Sequence, residues 1–100
     1  MYEFGVIVSY DCTYNKIRQT IVRICKDYNL DRIQYSVFSG SMSPAAYNNF
    51  LERIKSIPLK TPISILIQRL PLGSAHDFKL IEHDTEKLRR FKTYNKKNVI

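Results

Sequence analysis

Asp31-Arg32-Ile33-Gln34-Tyr35-Ser36-Val37-Phe38-Ser39-Gly40 is the stretch on which the reading of this chain turns. Apolar and polar residues alternate along it, the period-two signature of a half-buried strand. The spacing predicts a central strand over residues 32–38. Ile33, Tyr35 and Val37 would share one face, with Gln34, Ser36 and Phe38 on the other. Ser39-Gly40 is then expected to turn the chain into a very short strand near Ser41-Met42. The stretch also carries a cation and two aromatic rings, which a purely structural strand does not need. Taken with an earlier strand ending Ser9-Tyr10-Asp11, it points to a polynucleotide-handling surface on a small α/β sandwich.

Working outward, residues 4–10 read as a strand with Phe4, Val6, Val8 and Tyr10 on one face and Gly5, Ile7 and Ser9 on the other. A helix follows over residues 13–28. Ile17, Ile21, Ile24, Cys25 and Tyr28 recur at spacings of three and four, opposite Lys16, Arg23 and Lys26. Asn29 is its expected terminator, because Asn tolerates the left-handed conformation. Ser43-Pro44 is a strong helix start, with a cap oxygen followed by proline in the first turn. That second helix is expected to reach about residue 57 and to bury Tyr47, Phe50, Leu51, Ile54 and Ile57. Pro58 and Pro62 bracket the next connection. Residues 61–70 then form a strand with Ile63, Ile65 and Ile67 on one face and Leu66 and Leu70 on the other.

The order is βαββαβ, which predicts an α+β, ferredoxin-like sandwich with two helices on one face of an antiparallel sheet. After Pro71-Leu72-Gly73-Ser74, residues 78–82 alternate weakly. They are read as an extra C-terminal strand that needs an edge of its own sheet or of a partner subunit. Residues 1–86 are expected to form one domain, with that strand near 76–82, and residues 87–100 a basic tail.

Composition sets the bounds. One hundred residues, 44% hydrophobic and 25% charged, fit a single globular core. The net charge of +7 is uneven: residues 1–86 hold ten Lys/Arg against nine Asp/Glu, while residues 87–100 add six basic residues and no acid. Such a tail is either a contact for nucleic acid or an acidic partner, or a solvated end. No apolar run approaches the roughly 20 residues of a membrane span, and the first residues pattern as a strand, so a cytoplasmic protein is expected. Cys12 and Cys25 lack CxxC spacing and are read as idle or buried thiols of a reducing compartment.

Asp11 follows a largely apolar strand and should emerge at the rim of the sheet. It reads either as a turn or helix-capping residue or as a hard-metal ligand for Mg²⁺ or Mn²⁺. No second acid lies nearby in sequence, so a metal reading calls for a two-fold dimer that brings a second Asp11 to the first. His76 and His83 have no common metal-site spacing and read as surface residues. Ser9, Ser36 and Ser39 have no histidine in the first 75 residues to act as a base. No Gly-rich phosphate loop is present, and Val37-Phe38-Ser39-Gly40 lacks the full basic-aromatic motif of an RNA-recognition domain. Arg18 and Arg32 lie close to strand ends, where a guanidinium can grip phosphate bidentately or form a structural ion pair.

Val8-Ser9-Tyr10-Asp11, a helix bearing Lys16 and Arg18, the stretch from Arg32 to Gly40, Met42-Ser43-Pro44 and the Ile-rich strand ending Leu70-Pro71 together resemble the CRISPR-associated protein 2 family. The resemblance covers about the first 71 residues. It implies a homodimer whose C-terminal strand packs on the partner's sheet. It implies a role in CRISPR adaptation, bridging the integrase (CRISPR-associated protein 1) and holding incoming DNA. It further implies Mg²⁺-dependent (or Mn²⁺-dependent) endonuclease activity, on single-stranded RNA in some members and double-stranded DNA in others. By the same resemblance Asp11 is the metal residue, and Tyr10, Arg18, Arg32 and Phe38 match positions implicated in activity. One departure is Thr20, where some nuclease-active relatives carry a further arginine. The alternatives are a non-catalytic DNA-binding adaptor of the integrase and a toxin-type ribonuclease on the same fold.

Overall fold

The computed structural model describes residues 3–58 and 62–81. In chain order the elements are β1 (Phe4–Cys12), α1 (Asn15–Asp27), β2 (Asp31–Gln34), β3 (Val37–Met42), α2 (Pro44–Lys55) and β4 (Ile63–Leu70), followed by a 3-10 turn at Ser74–His76. The four strands form one antiparallel sheet in the order β2-β3-β1-β4. This is the α+β, βαββαβ sandwich that the sequence periodicity predicts. No helix among the described residues is long and apolar enough to cross a membrane.

The alternation of β1 decides which face is covered. Phe4, Val6, Val8 and Tyr10 are buried and form one core cluster with Ile21, Ile24 and Cys25 of α1, Phe50 and Ile54 of α2, and Phe38 and Met42 of β3. Each such side chain contributes roughly 1.5–3 kcal/mol on burial. Ile63, Ile65 and Ile67 pack against the same cluster, while Leu66 lies exposed on the opposite side of β4. The helix ends follow their local chemistry. Ser43 Oγ accepts from the Ala46 amide at 3.2 Å with Pro44 next to it. Asn29 takes φ 61 just beyond α1.

One expectation is corrected. The predicted central strand over residues 32–38 is instead a hairpin. Its turn falls at Tyr35-Ser36, and β2 lies at the edge of the sheet. Gly40 does not turn the chain; it sits buried within β3, opposite Val6. The physical reason is close packing, since a Cβ on Gly40 would lie 2.8 Å from Leu30 Cδ2 and 3.2 Å from the Asn29 carbonyl oxygen. A register shift between Arg32 and Gln34 places Arg32 opposite Phe38, so both side chains reach the helix face from neighbouring strands.

The C-terminal strand expected near 76–82 runs past the described residues. Among the described residues, 78–81 make a single bridge, at Leu80, and no longer ladder. The segment lies against the sheet face away from the helices. Ser39 Oγ donates to the Ala75 carbonyl at 2.6 Å, and Ala75 packs over Gly5, where a Cβ would come within 3.1 Å. A strand at this point needs a free edge to pair with, and one chain offers this segment a surface to lie on. Glu82, His83 and the basic tail lie outside the described residues.

Candidate nucleic-acid interface

Strand alternation separates the expected site residues into two groups. Tyr10 belongs to the buried face of β1, whereas Asp11, the next residue, is exposed on the opposite face beside its cross-strand partner Ser64. Tyr10, Arg18, Arg32 and Phe38 come together on the helix side of the hairpin; Asp11 does not join them there. Both groups nevertheless lie at one end of the sheet. That end carries the finish of β1, the Tyr35-Ser36 turn and the start of β4, and the Tyr10 amide donates to the Ser36 carbonyl at 3.1 Å.

The helix-side cluster is organised around Tyr35. Its carbonyl oxygen accepts from Arg32 Nε at 3.0 Å, Arg32 Nη2 at 2.7 Å and the Tyr10 hydroxyl at 3.3 Å. Its ring lies under the guanidiniums of Arg32, 5.1 Å from the centroid, and Arg18, 5.9 Å away. Arg32 also stands 5.5 Å from the centre of the wholly buried Phe38 ring, so Phe38 bears on the site through Arg32. Arg18 is half-buried: Nη2 donates to Asn15 Oδ1 at 3.2 Å, while its buried Nε has no hydrogen-bond acceptor.

Burial governs the titration of the neighbouring groups. It raises the Tyr10 phenol above its ordinary value, outweighing the lowering effect of Arg32. Tyr10 therefore stays protonated at neutral pH and serves as a donor. Burial likewise pushes the Cys25 thiol up to about 12 despite Arg32. Cys25 is thereby inert as a nucleophile at neutral pH.

Between α1 and the hairpin runs a groove of about 590 Å³ lined by Arg18, Arg23, Lys26 and Arg32 together with Tyr10 and Tyr35. Its lining includes one carboxylate, Asp27, which is held by Arg53 Nη1 at 3.0 Å. The groove is therefore cationic and suited to a phosphate backbone. Thr20, the departure noted in the sequence, turns its hydroxyl back onto the Lys16 carbonyl at 3.0 Å. Sequence reasoning did not single out Tyr35 as a site residue. The available signal was its place between Arg32 and Phe38.

Asp11 lies in a separate shallow groove with Thr13, Pro62, Ile63 and Ser64. Among the described residues no group of three His, Cys, Asp or Glu side chains could hold a metal ion. The chemistry at Asp11 still fits Mg²⁺: a solvent-facing carboxylate in a groove with the hydroxyl residues Thr13 and Ser64 is a hard oxygen donor. Mg²⁺ is commonly held by one or two carboxylates, waters and a substrate phosphate.

Residues 4–77 match the family described as CRISPR associated protein Cas2. The chain is 42% identical over 52 residues to the CRISPR-associated endoribonuclease Cas2 2 of Pyrobaculum aerophilum, covering 52% of this chain and 57% of that protein. It is 41% identical over 49 residues to a CRISPR-associated endonuclease Cas1/endonuclease Cas2 fusion of Thermoproteus tenax, covering 49% of this chain and 19% of the fusion. The crystal structure of Streptococcus pyogenes Cas2 at pH 6.5 superposes with a TM-score of 0.68 at 25% identity, covering 78% of this chain and 99% of that one. The chain spans about half to two thirds of the length of the single-function curated relatives it matches.

Proposed function

The chain belongs to the CRISPR associated protein Cas2 family, and from that premise we propose that it is a metal-dependent endonuclease of the CRISPR adaptation module. In this reading it acts as a homodimer alongside the integrase and cuts phosphodiester bonds of RNA or DNA. The observation that carries the proposal is the placement of a cationic groove and an exposed carboxylate at one end of the same sheet. The endoribonuclease names of the relatives support the activity, and the fused relative of Thermoproteus tenax supports an integrase partner.

Asp11 would hold Mg²⁺, jointly with the Asp11 of a second copy or with the substrate phosphate. When bound, the ion supplies charge for the phosphate and acidifies a water. Arg18 presents its guanidinium at the groove wall and steadies the backbone. Arg32 has two nitrogens engaged with the Tyr35 carbonyl, so it steadies the hairpin and adds its positive charge to the groove. Tyr10 stays protonated and positions the same carbonyl; it takes no proton from water. Phe38, without exposed surface, sets the height of Arg32.

The second reading, a non-catalytic nucleic-acid adaptor of the integrase, is favoured by one observation. Asp11 lies on the face of the sheet away from the cationic groove. Incubating the full-length protein with single-stranded RNA and duplex DNA, in Mg²⁺ and in chelator, separates the two. The nuclease makes internal cuts in Mg²⁺ alone. An adaptor binds and leaves both substrates intact.

A further inference from the structure

The cationic groove continues past Arg18 and Arg32 along α1, where Arg23 and Lys26 line its far part. Arg18, Val22 and Lys26 follow one another at intervals of four, so they stack along one side of the helix, with Arg23 adjacent. All four line the groove. Eight residues of α-helix at 1.5 Å each carry Lys26 about 12 Å from Arg18. A stacked strand rises about 3.4 Å per nucleotide, so this length matches three or four phosphates. The Asp27 carboxylate, the groove's one anion, is compensated by Arg53 from α2, which removes the main repulsion at the far end.

The groove also has an aromatic wall. The half-buried Tyr35 ring stands in it beside two guanidiniums. A cationic track combined with an aromatic face is the chemistry of single-strand binding, because every exposed base offers a π-face, whereas a duplex keeps its base faces stacked inside. We propose that Arg23 and Lys26 are phosphate-binding residues of a single-strand track along α1. The track leads a strand toward the sheet end where Asp11 lies on the other face. This deepens the nuclease reading by adding Arg23 and Lys26 to the path of its substrate and rests on it only for the destination of the strand.

The test is equilibrium binding of the full-length protein to a fluorescent single-stranded 12-mer RNA in chelator, over a series of salt concentrations. The same titration is run with a duplex of equal length. Arg23→Gln with Lys26→Gln together should weaken single-strand binding at least tenfold. It should also make the slope of log affinity against log salt shallower by about 1.4, two phosphate contacts at about 0.7 each. The charge-keeping pair Arg23→Lys with Lys26→Arg should retain wild-type affinity and slope. Lys16→Gln with Lys55→Gln, which removes as much charge outside the groove, should have less than a twofold effect. An unchanged slope in the first pair, an equal loss in the Lys16/Lys55 pair, or an equal loss on duplex overturns the assignment. Because chelator suppresses any cutting, the outcome is separate from the nuclease reading. Normal binding by the first pair with intact cleavage sinks the track alone. Groove-dependent binding without cleavage by wild type sinks the nuclease and leaves the track.

Discussion

Arg32 donates two hydrogen bonds to one acceptor, the Tyr35 carbonyl three residues ahead, through Nε at 3.0 Å and Nη2 at 2.7 Å. The cation that sequence reasoning offers to a phosphate is thus also the clasp of the hairpin that presents it.

Arg32→Lys separates the two roles. Lysine keeps the charge and cannot reproduce the fork. Losing charge-assisted bonds to a partly buried carbonyl should cost about 1.5–3 kcal/mol. Urea unfolding measures this directly; a loss under 0.5 kcal/mol would show that the clasp is incidental.

Gly40→Ala tests the corrected hairpin. The new methyl would fall 2.8 Å from Leu30 Cδ2, so Leu30 must move against a packed core. A loss of about 1–3 kcal/mol is expected. Combining it with Leu30→Ala should give a total smaller than the sum of the single losses, because the clash is relieved. Strict additivity would argue against the contact.

Ser39→Ala tests the docking of the C-terminal segment. It removes the 2.6 Å bond to the Ala75 carbonyl and leaves that acceptor unsatisfied, for about 1–3 kcal/mol. Hydrogen exchange should rise at the amides of residues 74–80 while the amides of β1 keep their protection. Uniform loosening would place the effect in the whole sheet instead.

How much was legible follows from which signals are local. Ser43-Pro44, Asn29 and the alternation of Phe4, Val6, Val8 and Tyr10 act within a few residues, and the structure places them as the sequence predicts. The turn at Tyr35-Ser36 carries no Gly, Pro or Asn, so nothing in the sequence marked it. It is fixed by Arg32 and Tyr10 converging on one carbonyl. Gly40 attracted the turn instead, yet its smallness answers to Leu30, which leads into β2, a contact that composition does not announce. The same period-two rule that identified β1 also sends Tyr10 and Asp11 to opposite faces. The division of the site was therefore written in two adjacent residues, while Tyr35 and the reach of the groove to Arg23 and Lys26 depended on how the hairpin meets α1.

The buried Cys25 makes stability depend on alkaline pH. Its thiol, ordinarily near 9.0, is pushed up to about 12 by burial. Between these values the unfolded chain releases the proton and the folded chain keeps it. Stability is therefore whole below pH 9 and falls as pH rises toward 12, by roughly 4 kcal/mol at about 1.36 kcal/mol per unit. The raised Tyr10 adds to the fall above pH 10. Urea midpoints from pH 8 to pH 11 should decline less steeply in Cys25→Ala than in wild type, and parallel declines would remove Cys25 as the cause.

Cleavage by Asp11→Asn is the most direct measurement. The side chain is exposed at the sheet end, so the amide should leave fold and single-strand binding in place. With Mg²⁺ and single-stranded RNA or duplex DNA, wild type should make internal cuts that chelator abolishes. Asp11→Asn should bind RNA with wild-type affinity and lose at least a hundredfold in cleavage rate, with duplex DNA cut no faster by the variant. Cutting by Asp11→Asn at the wild-type rate would contradict the assignment of this carboxylate as the metal-holding centre of the reaction.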